Sequence, residues 1–191
     1  MNQTINSQPL IHIHASNPII QSWTEREIEQ LGFGTTDAPQ SASVHLIADH
    51  PATWALHQLE ALPVAERTRT VVTTMTSHPV YLDCLASYKV SGVCVSMSER
   101  EMLASLYAAS IRCGTYHAKS DLTKAELRVI RSLLKGMDAD TLATYLKVSQ
   151  KTLNSHLSNV LCKLGYRDRT QLVAKVLGYC PERDSLLPRV A

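Results

Sequence analysis

Nowhere in the 191 residues does an apolar stretch reach the roughly 18 uninterrupted positions a membrane-spanning helix needs. No cationic segment leads into an apolar one at Met1-Asn2-Gln3-Thr4. These absences predict a cytoplasmic protein with no membrane partner. Cys84, Cys94, Cys113, Cys162 and Cys180 are odd in number and include no CxxC pair. A disulfide framework and a cysteine-rich zinc site are therefore disfavoured, and reduced thiols are expected. GxGxxG, Walker and nucleophile-elbow motifs are missing, as are a helical HxxxH pair and any internal repeat. The expected catalytic, metal and cofactor complement is accordingly none, and the protein is expected not to be an enzyme. The composition that remains, 45% apolar and 19% charged, excludes collagen-like and disordered classes and suits one or two globular domains.

The formal charge of +2 hides an asymmetry. Residues 1–118 hold 6 Lys+Arg against 10 Asp+Glu, net −4, and residues 119–191 hold 13 against 7, net +6. A basic third attached to an acidic remainder suggests a polyanion-binding module, although uneven surface charge alone gives the same count. The basic part is punctuated as helices. Thr123 with Glu126 forms a capping box ahead of Leu127, Val129, Ile130, Leu133 and Leu134, and Gly136 supplies the stop. Asp138 caps a short helix with Leu142 and Leu146 inside, and Lys147-Val148-Ser149 is the turn. Ser149 caps a third helix, Gln150 to Leu164, whose inner stripe is Leu153, Leu157, Val160, Leu161 and Leu164. Asp168 and Gln171 open a fourth helix bearing Leu172, Val173, Val176 and Leu177, ended by Gly178.

Two helices joined by a short turn, the second with a polar outer face, fit a helix-turn-helix or an ordinary small bundle. The outer stripe of the third helix is Lys151, Asn154, Ser155, Ser158 and Cys162. Asn pairs bidentately with adenine, Ser bonds several bases, and Lys reaches phosphate or guanine. Residues 120–180, with Leu122-Thr123-Lys124-Ala125-Glu126, the run Val148 to Gly165 and Arg169-Thr170-Gln171, resemble the LuxR/GerE-type helix-turn-helix domain. The resemblance implies sequence-dependent binding of double-stranded DNA with the third helix in the major groove. It points to Lys151, Thr152, Asn154, Ser155, His156, Ser158 and Lys163 as DNA contacts. Neutral Asn154, Ser158 and Cys162 stand where that family usually has basic residues, which reduces phosphate neutralisation.

Upstream, short apolar runs at Leu10–His14, Val44–Ala48, Thr70–Thr74 and Gly92–Val95, with a weaker one near Phe33–Thr36, alternate with helical patterns. Those helices are expected at Ile19–Leu31, Trp54–Leu62, Val80–Ser87 and Glu99–Ile111, the rhythm of a parallel α/β sheet. The segment resembles the receiver of NarL/FixJ-type response regulators, which implies a doubly wound, flavodoxin-like sheet. Under that resemblance Asp49 is the candidate phosphosite and Thr74 the switch hydroxyl. Ala15-Ser16 replaces the acidic magnesium-binding pair, and Ser96 replaces the lysine. A lone carboxylate binds magnesium poorly and leaves developing charge uncompensated, so the receiver-like domain is read as degenerate.

His12 and His14 fall on one strand face, with His45 and His50 in or beside a neighbouring strand, so a metal site or an acid sensor competes with structural histidines. Cys162 beside Lys163 is a minor redox candidate. The expected organisation is a receiver-like α/β domain at 1–111, a linker at 112–121, an all-α four-helix DNA-binding domain at 122–180 and a tail at 181–191. The expected function is transcription regulation as a homodimer or as a heterodimer with another regulator, without phosphorylation. Two alternatives stay open: a two-component response regulator phosphorylated at Asp49, and an auxiliary protein-interaction regulator that acts through a fuller DNA-binding partner.

Overall fold

The structure is a computed structural model describing residues 8–95, 99–114 and 120–179. Ser96, residues 115–119 of the expected linker, Cys180 and the 181–191 tail lie outside the described residues. Contacts divide the chain into two units, Met1–Met75 with Leu85–Ala118, and Thr76–Cys84 with Lys119–Ala191.

In the first unit five strands, β1 (Leu10–His14), β2 (Gly34–Thr35), β3 (Val44–Asp49), β4 (Thr70–Thr74) and β5 (Gly92–Val95), form one sheet in the order β2-β1-β3-β4-β5. Every pair is parallel, with Ile11 opposite Val44, Ile47 opposite Val72 and Thr73 opposite Cys94. This is the doubly wound arrangement of flavodoxin-like folds. β3 and β4 are buried along their whole length, which explains why both read as apolar and threonine runs without alternation.

Helices α1 (Pro18–Gln30), α2 (Trp54–Ala61), α3 (Val64–Arg67), α4 (Pro79–Ala86) and α5 (Glu99–Ser110) carry the crossovers. Ile28 of α1 and Met102, Leu106 and Ala109 of α5 pack with Ile11, Ile13, Val44, Leu46 and Val71 of the sheet. Asn17 caps α1 by accepting from the N–H groups of Ile19 and Ile20, both at 3.0 Å, while Pro18 needs no partner at the first position. The strand-and-helix pattern expected from sequence is therefore observed to within a residue or so. Two features were not in it. α3 is a single turn behind Pro63, and the β2–β3 connection contains only a 3-10 turn at Pro39–Ser41. A span that short holds no covering helix, and His12 and His14 on that side of β1 stay half-buried.

In the second unit the helices are α6 (Lys124–Leu134), α7 (Ala139–Leu146), α8 (Gln150–Leu164) and α9 (Arg169–Val176). The Thr123 hydroxyl accepts from Glu126 N–H at 3.2 Å, and the Glu126 carboxylate accepts from Thr123 N–H at 2.7 Å, so the capping box is real. Val129, Leu142, Ala143, Leu146 and Leu153 form the core between α6, α7 and α8. Lys147, at φ +56°, makes the turn between α7 and α8, and Gly165, at φ +69°, ends α8. Thr76–Cys84 also belongs to this unit: His78 Nε2 lies 2.9 Å from the Tyr166 hydroxyl, and Ser120 N–H donates to Asp83 at 2.7 Å.

Candidate nucleic-acid interface

The start of α8 is held three ways. Ser149 Oγ accepts from Thr152 N–H at 3.1 Å, and its hydroxyl lies 2.9 Å from that of Thr152. Gln150 Nε2 donates to Asp140 at 2.6 Å and to the Ala139 carbonyl at 3.3 Å, tying the first turns of α7 and α8 together. Gln150 was not among the expected site residues, because its partners lie ten and eleven positions away and no local motif marks them. Beyond this clamp Lys151, Asn154, Ser155, Ser158 and Cys162 are all exposed. Their spacing of three or four residues makes one polar face of the helix.

The other expected contacts sit differently. Thr152 is exposed but its hydroxyl is engaged with the cap, and His156 is half-buried. Lys163 is exposed at one end and turned inward at the other, donating to Glu126 at 2.8 Å and to the Asp121 carbonyl at 3.3 Å. Burial opposes ionisation of Glu126, but the bonds from Lys163 and Thr123 outweigh it and hold the carboxyl below its ordinary value. The same contact takes the ammonium that was expected beside the Cys162 thiol. On the inner face Leu153 and Val160 are fully buried, whereas Leu157, Leu161 and Leu164 are half-buried.

The family model for bacterial regulatory proteins of the luxR family matches residues 120–176, from just before α6 to the end of α9. The spore germination protein GerE of Bacillus subtilis (strain 168) is 36% identical over 62 residues, which are 32% of this chain and 84% of GerE. The chain belongs to the luxR family of bacterial regulatory proteins. Solved structures extend the likeness of this luxR-family chain to its whole fold. RcsB from Salmonella enterica serovar Typhimurium, bound to promoter P1flhDC in the presence of phosphomimetic BeF3−, has a TM-score of 0.59 at 17% identity. The match covers 91% of this chain and 100% of that one. A structure of two RcsB dimers bound to two parallel DNAs gives 0.61 at 17% identity, over 89% and 99% of the respective chains. The first unit of the luxR-family chain thus has the receiver-like fold expected of it.

At the receiver-like site Asp49 is 3% exposed and already holds two donors, Ala55 N–H at 2.8 Å and the Thr74 hydroxyl at 2.9 Å. Ser16, in one of the acidic positions, donates its hydroxyl to the His50 carbonyl, and Asn17 is spent on the α1 cap. The histidines also resolve. His12, His14 and His45 cluster with ring centroids 4.7, 5.3 and 5.8 Å apart, and His50 stands outside them. Glu66 lies 3.0 Å from His45 Nε2, and His14 Nε2 lies 3.1 Å from His45 Nδ1. A neutral His45 donating to Glu66 leaves Nδ1 to accept from His14. Burial first, then repulsion from His12 and His45, pushes His14 from an ordinary 6.5 down to about 4. Burial and Arg69 lower His45 as well, against the opposing pull of Glu66. Among the described residues no three His, Cys or carboxylate groups are arranged to hold a metal ion, and no helix is long and apolar enough to cross a membrane.

Proposed function

We propose that this chain is a cytoplasmic transcription regulator, not an enzyme, that binds double-stranded DNA with α8 in the major groove. The observation that carries the reading is the exposed face Lys151, Asn154, Ser155 and Ser158 on a helix whose first turn is clamped by Ser149 and Gln150. A pre-organised polar helix face suits base readout, and the net charge of +6 on residues 119–191 suits phosphate attraction. Lys151 is the phosphate or guanine contact and Asn154 the adenine contact. Thr152 and Lys163 act mainly by holding the helix in place, with His156 at its edge. The chain acts as a dimer, because one helix-turn-helix reads only a few base pairs and paired half-sites lie about one helical turn apart. The RcsB dimers on DNA are the precedent in fold. The domains in this reading are 1–111 and 122–180, with 112–121 as linker and 181–191 as tail, and by contacts Thr76–Cys84 of the first groups with the second unit.

Operator sequences selected from a random pool test this directly. Lys151→Ala should weaken binding to every sequence and reduce the salt dependence by about one unit of slope, whereas Asn154→Ala should cost about 1–3 kcal/mol concentrated at one base pair. Unchanged affinity for both variants at several salt concentrations would remove α8 from the interface. DNA binding only after a second regulator is added would favour the heterodimer.

Regulation does not run through phosphorylation of Asp49 in this proposal. The support is chemical: the carboxylate is buried with two donors, and Ala15-Ser16 offers no companion carboxylate for magnesium. Acetyl phosphate with magnesium should leave the intact mass unchanged, and Asp49→Asn should keep DNA binding. A phosphoryl adduct that disappears in Asp49→Asn and tightens DNA binding would establish the two-component alternative.

A further inference from the structure

Where β3 and β4 end against α1, the first unit holds an open cavity of about 250 Å³. Ile20 and Trp23 of α1, Ala48 and Asp49 of β3, and Thr74 and Met75 at the end of β4 line it. Doubly wound sheets place ligands beyond the carboxyl ends of their strands, where strand order reverses, and β1 and β3 are the strands at that reversal here.

The chemistry of this cavity is not that of an anion or cation site. Among the described residues no Lys or Arg lines it, and the Asp49 carboxylate already accepts from Ala55 and Thr74. The His50 imidazole and the Thr73 and Thr74 hydroxyls, which donate to the Ile47 carbonyl and to Asp49, also line it, and the rest is aliphatic, thioether and indole surface. Trp23 and Met75 are 47% and 72% exposed, two large apolar side chains that line the cavity and remain partly in water. Scattered exposed apolar residues are ordinary, whereas a pair bounding a concave apolar site marks a place to bind. An indole face stacks on planar rings, and a thioether packs against ring edges.

We propose that this cavity binds a neutral, ring-containing small molecule stacked on Trp23 and flanked by Met75. An anion would meet the Asp49 carboxylate with no lining Lys or Arg to offset it, and a cation would lose its hydration to apolar walls. The volume falls below the roughly 300–1,000 Å³ of drug-sized pockets, so the ligand has about three rings at most. This site is independent of the DNA-binding reading.

Titration of the full chain with N-phenyl-1-naphthylamine, neutral and weakly emissive in water, tests the proposal beside its sulfonated counterpart 8-anilinonaphthalene-1-sulfonate. The neutral probe should give saturable emission at about one probe per chain, and the sulfonate should bind about tenfold more weakly. Trp23→Ala and Met75→Asp should each weaken the neutral probe about tenfold. Ile19→Ala, at an exposed position of α1 that does not line the cavity, should leave it unchanged. Circular dichroism checks each fold, and Met75→Ser replaces Met75→Asp if the aspartate variant unfolds. No saturable binding, equal affinity for the two probes, or full affinity in both cavity variants overturns the proposal.

Discussion

Lys163 illustrates how surroundings decide what a side chain does. On the helix surface it reads as a cation for DNA, yet its ammonium meets Glu126, a carboxylate only 4% exposed. Removing the partner of a buried charge leaves that charge under-solvated, so Lys163→Ala should lower stability by about 1–3 kcal/mol in urea unfolding. In a Glu126→Gln background the loss should shrink, because a neutral amide needs no cation. His14 makes a pH-dependent case. Its pKa is about 4 in the fold and about 6.5 in the unfolded chain, so between those values the unfolded chain binds more protons. The contribution is complete above about 6.5 and disappears as pH falls towards about 4, an effect on the order of 2 kcal/mol after allowing for partial exposure. His14→Gln should flatten the unfolding free energy across that window, and an unchanged slope would show that His14 titrates normally.

At the scale of elements, α8 depends on its two ends. Ser149→Ala removes the oxygen that accepts from Thr152 N–H and should cost about 1 kcal/mol. At the other end Gly165 sits at φ +69° with nothing within 4 Å of an added Cβ, so Gly165→Ala meets no steric clash. Its cost is backbone strain alone, about 1–2 kcal/mol. Thermal unfolding of the two variants separates a cap from a turn: both should lower the midpoint, and their effects should add, since the ends are far apart along the helix. Leu153 secures the middle. It is fully buried against α6 and α7, so truncation there would unsettle all three helices together.

For the whole molecule the open quantity is copy number. In α9, Leu172 and Val176 are fully buried, which leaves Val173 and Leu177, both half-buried, as the part of that apolar face available to a second chain. Sedimentation on DNA carrying two half-sites should therefore find two chains, and Val173→Glu should weaken that assembly without reducing helicity. A single chain bound to an unrepeated site would rule out the dimer. The acidic first 118 residues and the basic remainder give opposite electrostatic tendencies, net −4 and +6. Raising salt should accordingly weaken DNA binding while leaving neutral-probe binding in the sheet cavity almost unchanged.

Local chemistry was legible because its causes are local. Thr123, Asp138, Ser149 and Asp168 each satisfy an N–H group three residues ahead, so cap and helix occupy one stretch of sequence. The runs Val44–Ala48 and Thr70–Thr74 likewise announce strands of a parallel sheet, and the structure buries both along their length. The polar face of α8 followed from helical spacing. Tertiary structure decided whatever joins distant positions. It turned Lys163 onto Glu126, brought Gln150 to Asp140, gathered His12, His14 and His45, and set Trp23 and Met75 around one cavity. None of these pairings has a period or a motif, because each depends on how strands and helices are laid side by side. Sequence determined the elements and their order; the packing of those elements determined which side chains are left to meet DNA, a ligand or each other.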